Sequence, residues 1–445
     1  MKNRFDFHNI FWIILICLFP ILVLFVLASM GIYISGWLFI GLLLLCFVFL
    51  HYLYRGRAAT ESSKDQERES DELKEIEVKQ PFLDSFQARR AFEQNKNIFY
   101  EGKLLEKADV AYQKLKQRFK DSGYTPMLQE TESGGATLAL ISQPVQPVIR
   151  RLSKPVVNLI LFILTLITTT WAGAAHQGVN LWQEPAKFAV GLPYALALMA
   201  ILGTHELGHY FIAKRHGIHV TLPYFIPVPF ALGTFGAFIS MKSPVENRRV
   251  LFDVGIAGPL AGLVIAIPAL LIGLKYSTLI LPGSNPAPLF GQGMSVTSSV
   301  LMAVIAKLAL GEAVAAGHNI VFHPLAFAGW LGLLVTALNL LPIGQLDGGH
   351  IAHALFGRRT SNNISSVALF SLILLGLFVW SGWLIWAIIV FFVAGAKSAL
   401  PLNDISQVDR KREILGAVAF ILLFLIMMPL PHAFYQSLGI HCPYL

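Results

Sequence analysis

Nine apolar runs constrain this chain more than any other feature of its sequence. They lie at about 10–30, 32–53, 155–173, 187–213, 251–274, 324–341, 366–380, 382–399 and 413–430. A bilayer core takes about 20 helical residues to cross. A helix is one of the few structures that satisfies its own backbone there. The composition agrees. The 445 residues are 55% hydrophobic and 13% charged, with a mean hydropathy of +0.62, which excludes an ordinary soluble protein. The expected fold is an all-α polytopic membrane protein of about nine transmembrane helices. A small α+β soluble domain and a membrane-associated loop or β-hairpin complete it.

Basic residues mark one side of these runs. Lys2 and Arg4, Arg55 and Arg57, Arg150 to Lys154, Lys214 and Arg215, Arg248 and Arg249, and Arg410-Lys411-Arg412 all sit at run borders. The positive-inside rule puts them, and the N-terminus, in the cytosol. The net charge of +8 is therefore read as topology, and no nucleic-acid partner is expected. The run Thr297 to Leu310 is too short to span and is expected to be re-entrant or interfacial. The three cysteines, Cys17, Cys46 and Cys442, form no framework or CxxC site.

Four regions follow. Residues 1–54 form a transmembrane hairpin, and 55–154 a soluble cytosolic segment made of a linker and a small α+β domain. Residues 155–350 form a catalytic membrane core, and 351–445 the C-terminal transmembrane helices. Within the soluble segment, Ala108 to Phe119 is expected to be helical. Residues 124–128 and 136–141 read as short strands around Gly134-Gly135. Residues 217–250 are apolar but carry Pro223, Pro227, Pro229, Gly233 and Gly236. That proline density forbids a continuous helix. Non-helical backbone at membrane depth must be buried in protein or line a wet cavity.

The chemistry lies in the run 187–213, which contains His205-Glu206-Leu207-Gly208-His209. On a helix, i and i+4 share a face, so His205 and His209 can offer two imidazoles to one ion. Glu206 can take a proton from water at that ion. Zinc needs a third protein ligand, and Asp347 is the natural one. It follows Pro342, which ends the preceding helix, and precedes Gly348-Gly349. The competing reading is that Asp347 caps the helix after it. Two histidines and one carboxylate would leave a fourth position open, as in catalytic zinc sites. Asn339 is a candidate for the oxyanion or the substrate backbone, with an inter-helix hydrogen bond as the alternative. An unwound substrate strand can add to an exposed strand edge, and the Gly233–Gly236 stretch is the candidate for that edge.

Taken together, His205-Glu-Leu-Gly-His209, Asn339-Leu-Leu-Pro342, Leu346-Asp347-Gly348, Gly233-Thr-Phe-Gly236 and Phe252-Asp-Val-Gly-Ile-Ala-Gly-Pro259 resemble the site-2 protease family of intramembrane zinc metalloproteases. They are most similar to the branch without an obvious PDZ domain, which includes plant chloroplast EGY-type proteins. The resemblance covers about residues 97–430. It implies one Zn2+ per chain on His205, His209 and Asp347, with Glu206 catalytic. It also implies membrane-protein substrates, such as anti-sigma factors in bacteria. A bacterial plasma membrane is the expected location, because no transit peptide is seen. Two other functions compete: a metal transporter, and a silent scaffold of the same fold. No internal repeat supports the first, and the intact Glu206 argues against the second.

Overall fold

The computed structural model describes residues 74–75, 84–131, 135–142, 155–229, 231–280, 299–311, 319–378, 382–394 and 400–428. The expected transmembrane hairpin over residues 10–53 lies outside them.

The first folded unit is the α+β domain. Strands β1 (Phe86–Gln94), β2 (Asn97–Leu104), β3 (Thr125–Glu130) and β4 (Ala136–Ile141) run antiparallel in the order β1-β2-β4-β3. Helix α1 (Ala108–Arg118) covers one face through Tyr112 and Leu115. These pack on Phe86, Tyr100, Leu128 and Leu138. The expected helix and the pair at 124–141 are present. The β1–β2 hairpin was not expected. Its two-residue turn, Asn95-Lys96, has positive φ at both positions, the geometry that matches strand twist. It lacks the glycine that usually announces such a turn.

The helical core follows. Its helices are α2 (Pro155–His176), α3 (Leu192–Arg215), α4 (Arg248–Lys275), α5 (Val300–Leu310), α6 (Pro324–Leu340), α7 (Asp347–Phe378), α8 (Gly382–Ala394) and α9 (Arg410–Met427). Their ends obey local chemistry. Asn247 caps α4 by accepting from the Val250 amide at 3.0 Å. Gly217 stands past the end of α3 with φ 72°, where a side chain would be strained. Pro324 opens α6, and Pro342 prevents it from continuing. Among the described residues, four helices are long and apolar enough to cross a membrane: α2, α3 with the 3-10 turn before it, α4 and α7. The others are shorter or carry charge. At 17 residues, α6 rises about 25 Å, and α5 is shorter still. Element α7 covers two helices joined across a kink at Gly357 (φ 78°, ψ 169°): Asp347 opens the first, and the run at 366–380 falls in the second.

Strands β5 (Tyr224–Pro227) and β6 (Thr234–Phe238) form the expected hairpin. Its register slips between Phe225 and Pro227, since proline has no amide to give the ladder. Pairing extends beyond the strands through the Lys242 amide to the His219 carbonyl, 2.7 Å. The hairpin lies along α2. Asn158 near one end of α2 donates to the Leu222 and Pro223 carbonyls. Thr168, ten residues and about 15 Å further along, donates to Gly233 O at 2.7 Å. Tyr194 of α3 donates to Leu232 O at 2.9 Å. The hairpin thus runs along α2, a helix long and apolar enough to cross a membrane, pinned at both ends. Beyond α4, strands β7 (Thr278–Ile280) and β8 (Asn319–Val321) pair antiparallel.

Candidate metal centre

Helix α3 carries His205, Glu206 and His209 toward α4, and all three are buried. The carboxylate comes from the other side. Asp347 is the first residue of α7, after the turn that Pro342 forces. Gly348 sets it there, because a Cβ at Gly348 would meet the Leu341 carbonyl at 2.6 Å and the Leu340 carbonyl nearer still. Asp347 thus starts a helix, and its carboxylate faces the histidines.

The three ligand atoms form a triangle. Nε2 of His205 and Nε2 of His209 are 3.2 Å apart. Oδ2 of Asp347 lies 3.3 Å from the first and 3.2 Å from the second. Ligands on one face of a tetrahedral zinc site with bonds of about 2.0–2.1 Å stand about 3.3–3.4 Å apart. The donor set and its spacing therefore fit zinc. Among the described residues, this is the one group of three His, Cys, Asp or Glu side chains with that convergence.

The backbone settles the tautomer of His209. Its Nδ1 is 2.7 Å from the Val254 carbonyl. A carbonyl only accepts, so Nδ1 carries the proton and Nε2 keeps its lone pair for a metal.

Helix α4 supplies the wall behind the imidazoles. At Gly258, a Cβ would stand 2.5 Å from both Cδ2 and Cε1 of His209 and nearer still to Nε2. At Gly262 it would stand 3.3 Å from Nδ1 of His205. At Gly255 it would stand 3.2 Å from Cβ of His350, beside the Asp347 carbonyl. Small residues spaced four apart, as Gly258 and Gly262 are, ordinarily let another helix come close. The spacing does serve close approach, and what approaches is the ligand set itself.

The remaining sequence candidates fall in different places. Asn339, near the end of α6, puts its amide nitrogen 3.2 Å from Nε2 of His205, so it borders the metal position. The backbone of Ile239, one residue past β6, lies beside Glu206, which brings the end of the hairpin near the acid. Gly233 instead packs on α2. Its φ is 79°, and a Cβ would meet the backbone of Thr168 and Thr169 at 2.5–2.7 Å. Gly236 has φ 99° and open space around it. Val254 and Ile239 act through backbone atoms, which leave no residue-type signal in a sequence.

The signature of peptidase family M50 matches residues 193–379. This span contains all but the first residue of α3, the hairpin, and the whole of α4, α5, α6 and α7. The Arabidopsis thaliana protein named "Probable zinc metalloprotease EGY1, chloroplastic" is 30% identical over 377 residues, covering 77% of this chain and 68% of that protein. The Arabidopsis thaliana zinc metalloprotease EGY2, also chloroplastic, is 36% identical over 249 residues, 55% of this chain and 43% of the relative. The EGY3 protein of Oryza sativa subsp. japonica is 31% identical over 265 residues, 57% of this chain and 44% of the relative. No solved structure matches the chain significantly.

Proposed function

The chain belongs to peptidase family M50, the site-2 protease type of zinc metalloprotease hydrolases, and from that premise we propose that it cuts membrane-protein substrates within or beside their transmembrane segments, with His205, His209 and Asp347 as zinc ligands and Glu206 as the general base. The observation that carries this reading is the 3.2–3.3 Å triangle of ligand atoms with Glu206 one residue along the same helix. Bound zinc polarises a substrate carbonyl and brings the pKa of a water in its open position toward neutrality. Glu206 takes the proton of the attacking water and passes it to the leaving amine. Asn339, 3.2 Å from His205, donates its amide to the oxyanion or to the substrate backbone.

A helical substrate hides its carbonyls in its own ladder, so it must be unwound first. The two-stranded β5–β6 sheet offers main-chain groups for an added strand. The nearness of Ile239, just past β6, to Glu206 supports a strand added there lying beside the acid. Gly236, open and at the register slip, is where a substrate backbone approaches. Gly233 supports the strand from behind by its packing on α2.

Four long helices make this a membrane protein. In our reading, α6, α8, α9 and the two apolar runs of 10–53 complete nine spans, with the α+β domain in the cytosol. The matched relatives are named as chloroplastic, so the bacterial plasma membrane expected from the sequence has no counterpart among them. Anti-sigma factors and similar single-span regulators are the substrate class that the resemblance suggests.

Glu206→Gln is the deciding variant. It should keep zinc and abolish proteolysis. Membrane proteomics of wild type against this variant should then show a single-span protein or stub accumulating only in the variant. Continued cleavage by Glu206→Gln would overturn the enzymatic reading.

A further inference from the structure

A second polar cluster lies outside the metal centre. Oδ1 of Asp404 accepts from Nε2 of His353 at 2.7 Å and from Nε of Arg248 at 3.1 Å. The three residues are only 2–8% exposed. The Arg248 amide donates to Ser406 Oγ at 3.1 Å, which closes the cluster on the segment between α8 and α9. Gly357, with φ 78°, leaves the room that the Arg248 guanidinium fills, since a Cβ there would stand 2.9 Å from Nη2.

The two partners of Asp404 belong to α7, which carries Asp347, and to α4, which backs the histidines of α3. Arg248 opens α4, whose Gly255, Gly258 and Gly262 form the wall behind the ligands. His353 sits on α7 six residues, or about 9 Å of rise, past Asp347 and before the break at Gly357. One carboxylate thus ties the histidine cradle to the helix of the third ligand. Buried charges are costly unless paired, so both helices are held to positions that satisfy it.

The same segment is stitched to the α+β domain. The Leu128 amide donates to Leu402 O at 2.8 Å, and the Asp404 amide donates to Leu128 O at 2.9 Å. Residues 402–404 therefore continue the sheet beside β3, its edge strand in the order β1-β2-β4-β3. Helix α1 grips the start of α4 independently. Asp109 pairs with Arg249 at 2.8 Å, and Lys116 with Glu246 at 2.8 Å. Positions 109 and 116 are seven apart, on one face of α1.

We infer that Asp404 is a positioning residue for the metal centre, and that docking of the α+β domain holds Asp347 and the two histidines in register through it. The domain is then a control element: whatever loosens its grip on α4 and on 402–404 loosens the zinc site. This rests on Asp347 being a zinc ligand, and the test separates the two claims.

The test uses the full-length zinc-loaded protein in detergent and measures zinc release to a chromogenic chelator, well below the melting temperature of each variant. Asp404→Asn should release zinc at least threefold faster than wild type. Asp109→Arg and Arg249→Asp should each accelerate release at least threefold. The double variant, which restores the pair with its signs exchanged, should return to within twofold of wild type. Wild-type release from Asp404→Asn overturns the inference. If Asp404→Asn does not fold, wild-type release from both single charge reversals overturns it alone. Asp347→Ala serves as the reference. Full zinc content with unchanged release in that variant defeats the ligand assignment itself, whereas zinc loss there with no effect of Asp404→Asn defeats only the positioning role.

Discussion

A graded series of glycine-to-alanine changes on the wall of the site tests the geometry most sharply. At Gly258, the added methyl would lie 2.5 Å from Cδ2 and Cε1 of His209, whereas ordinary contact is 3.4–4 Å. The imidazole must retreat by about 1 Å. It cannot do so freely, because its Nδ1 is held by the Val254 carbonyl at 2.7 Å. Withdrawal either breaks that bond or pulls Nε2 out of the ligand triangle. Metal sites tolerate only about 0.2 Å in ligand distance, and a misplacement of about 1 Å can cost about 100-fold in rate. Gly258→Ala should therefore lose at least about 100-fold in activity and most of its zinc, with an overpacking cost of about 1–3 kcal/mol in stability. At Gly262 the nearest atom is Nδ1 of His205 at 3.3 Å, a shift of a few tenths of an ångström, so activity should fall by no more than about threefold. At Gly203 the nearest atom is Phe225 Cζ at 3.8 Å. Alanine there should leave zinc and activity unchanged and stabilise α3 by about 0.5–1 kcal/mol. The assay is zinc per chain by emission spectrometry together with cleavage of a membrane-anchored reporter. Gly258→Ala with wild-type zinc and activity within threefold would refute the cradle, as would losses that do not rank 258, 262, 203.

Other expectations follow from single contacts. Asn339→Ala should lower kcat by about 100- to 1,000-fold if its amide meets the oxyanion, with zinc content unchanged; a loss confined to KM would assign it to substrate binding alone. Tyr194→Phe removes the bond to Leu232 O, worth about 1 kcal/mol; limited proteolysis at the hairpin tip should speed up while zinc content holds. Docking of the α+β domain should weaken in acid. The Lys116 ammonium, with help from the Gln113 amide, holds the Glu246 carboxyl below the usual carboxylate range. A depressed folded pKa contributes stability that is fully present above the unfolded value, about 4.3, and is lost as pH falls through the folded one. This half-exposed pair is worth at most about 1 kcal/mol. Cross-linking between α1 and the 246 loop should therefore hold from pH 7 to about 5 and decline below about 4, with no decline in Glu246→Gln.

How much of this was legible in the sequence depends on whether a residue's partners are near it along the chain. The i, i+4 spacing puts His205 and His209 on one face of α3 whatever surrounds them, so the half-site could be read directly. Pro342 ends α6, and Gly348 lets the chain turn against the Leu340 and Leu341 carbonyls, so Asp347 could be placed at the head of a helix from local chemistry. The density of proline in 217–250 likewise ruled out a helix and left a hairpin. The β1–β2 hairpin escaped because its alternation is broken by a bulge between Ala88 and Arg90 and its turn lacks glycine. The role of Gly258 escaped for a different reason. A small residue on an apolar helix says that something comes close, and only the fold says that the visitor is His209.

The segment 400–407 is the extreme case. Pro401-Leu-Asn-Asp-Ile-Ser-Gln has no periodicity and no motif, and Asp404 there reads as any loop acid. Its meaning comes from Leu128, Arg248 and His353, which are 276, 156 and 51 positions away. Loop acids are ordinarily solvated. This one is 2% exposed and is satisfied by a guanidinium, an imidazole and two backbone strands of contact. A buried charge with that many long-range partners persists only where the surrounding elements are all held at once. One of those elements carries Asp347, another is the glycine wall behind the histidines of α3, and a third is the edge of the α+β domain. The site that local spacing reveals is thus held together by a residue that local spacing cannot reveal, and the charge-reversal cycle at Asp109 and Arg249 asks whether that restraint reaches the metal.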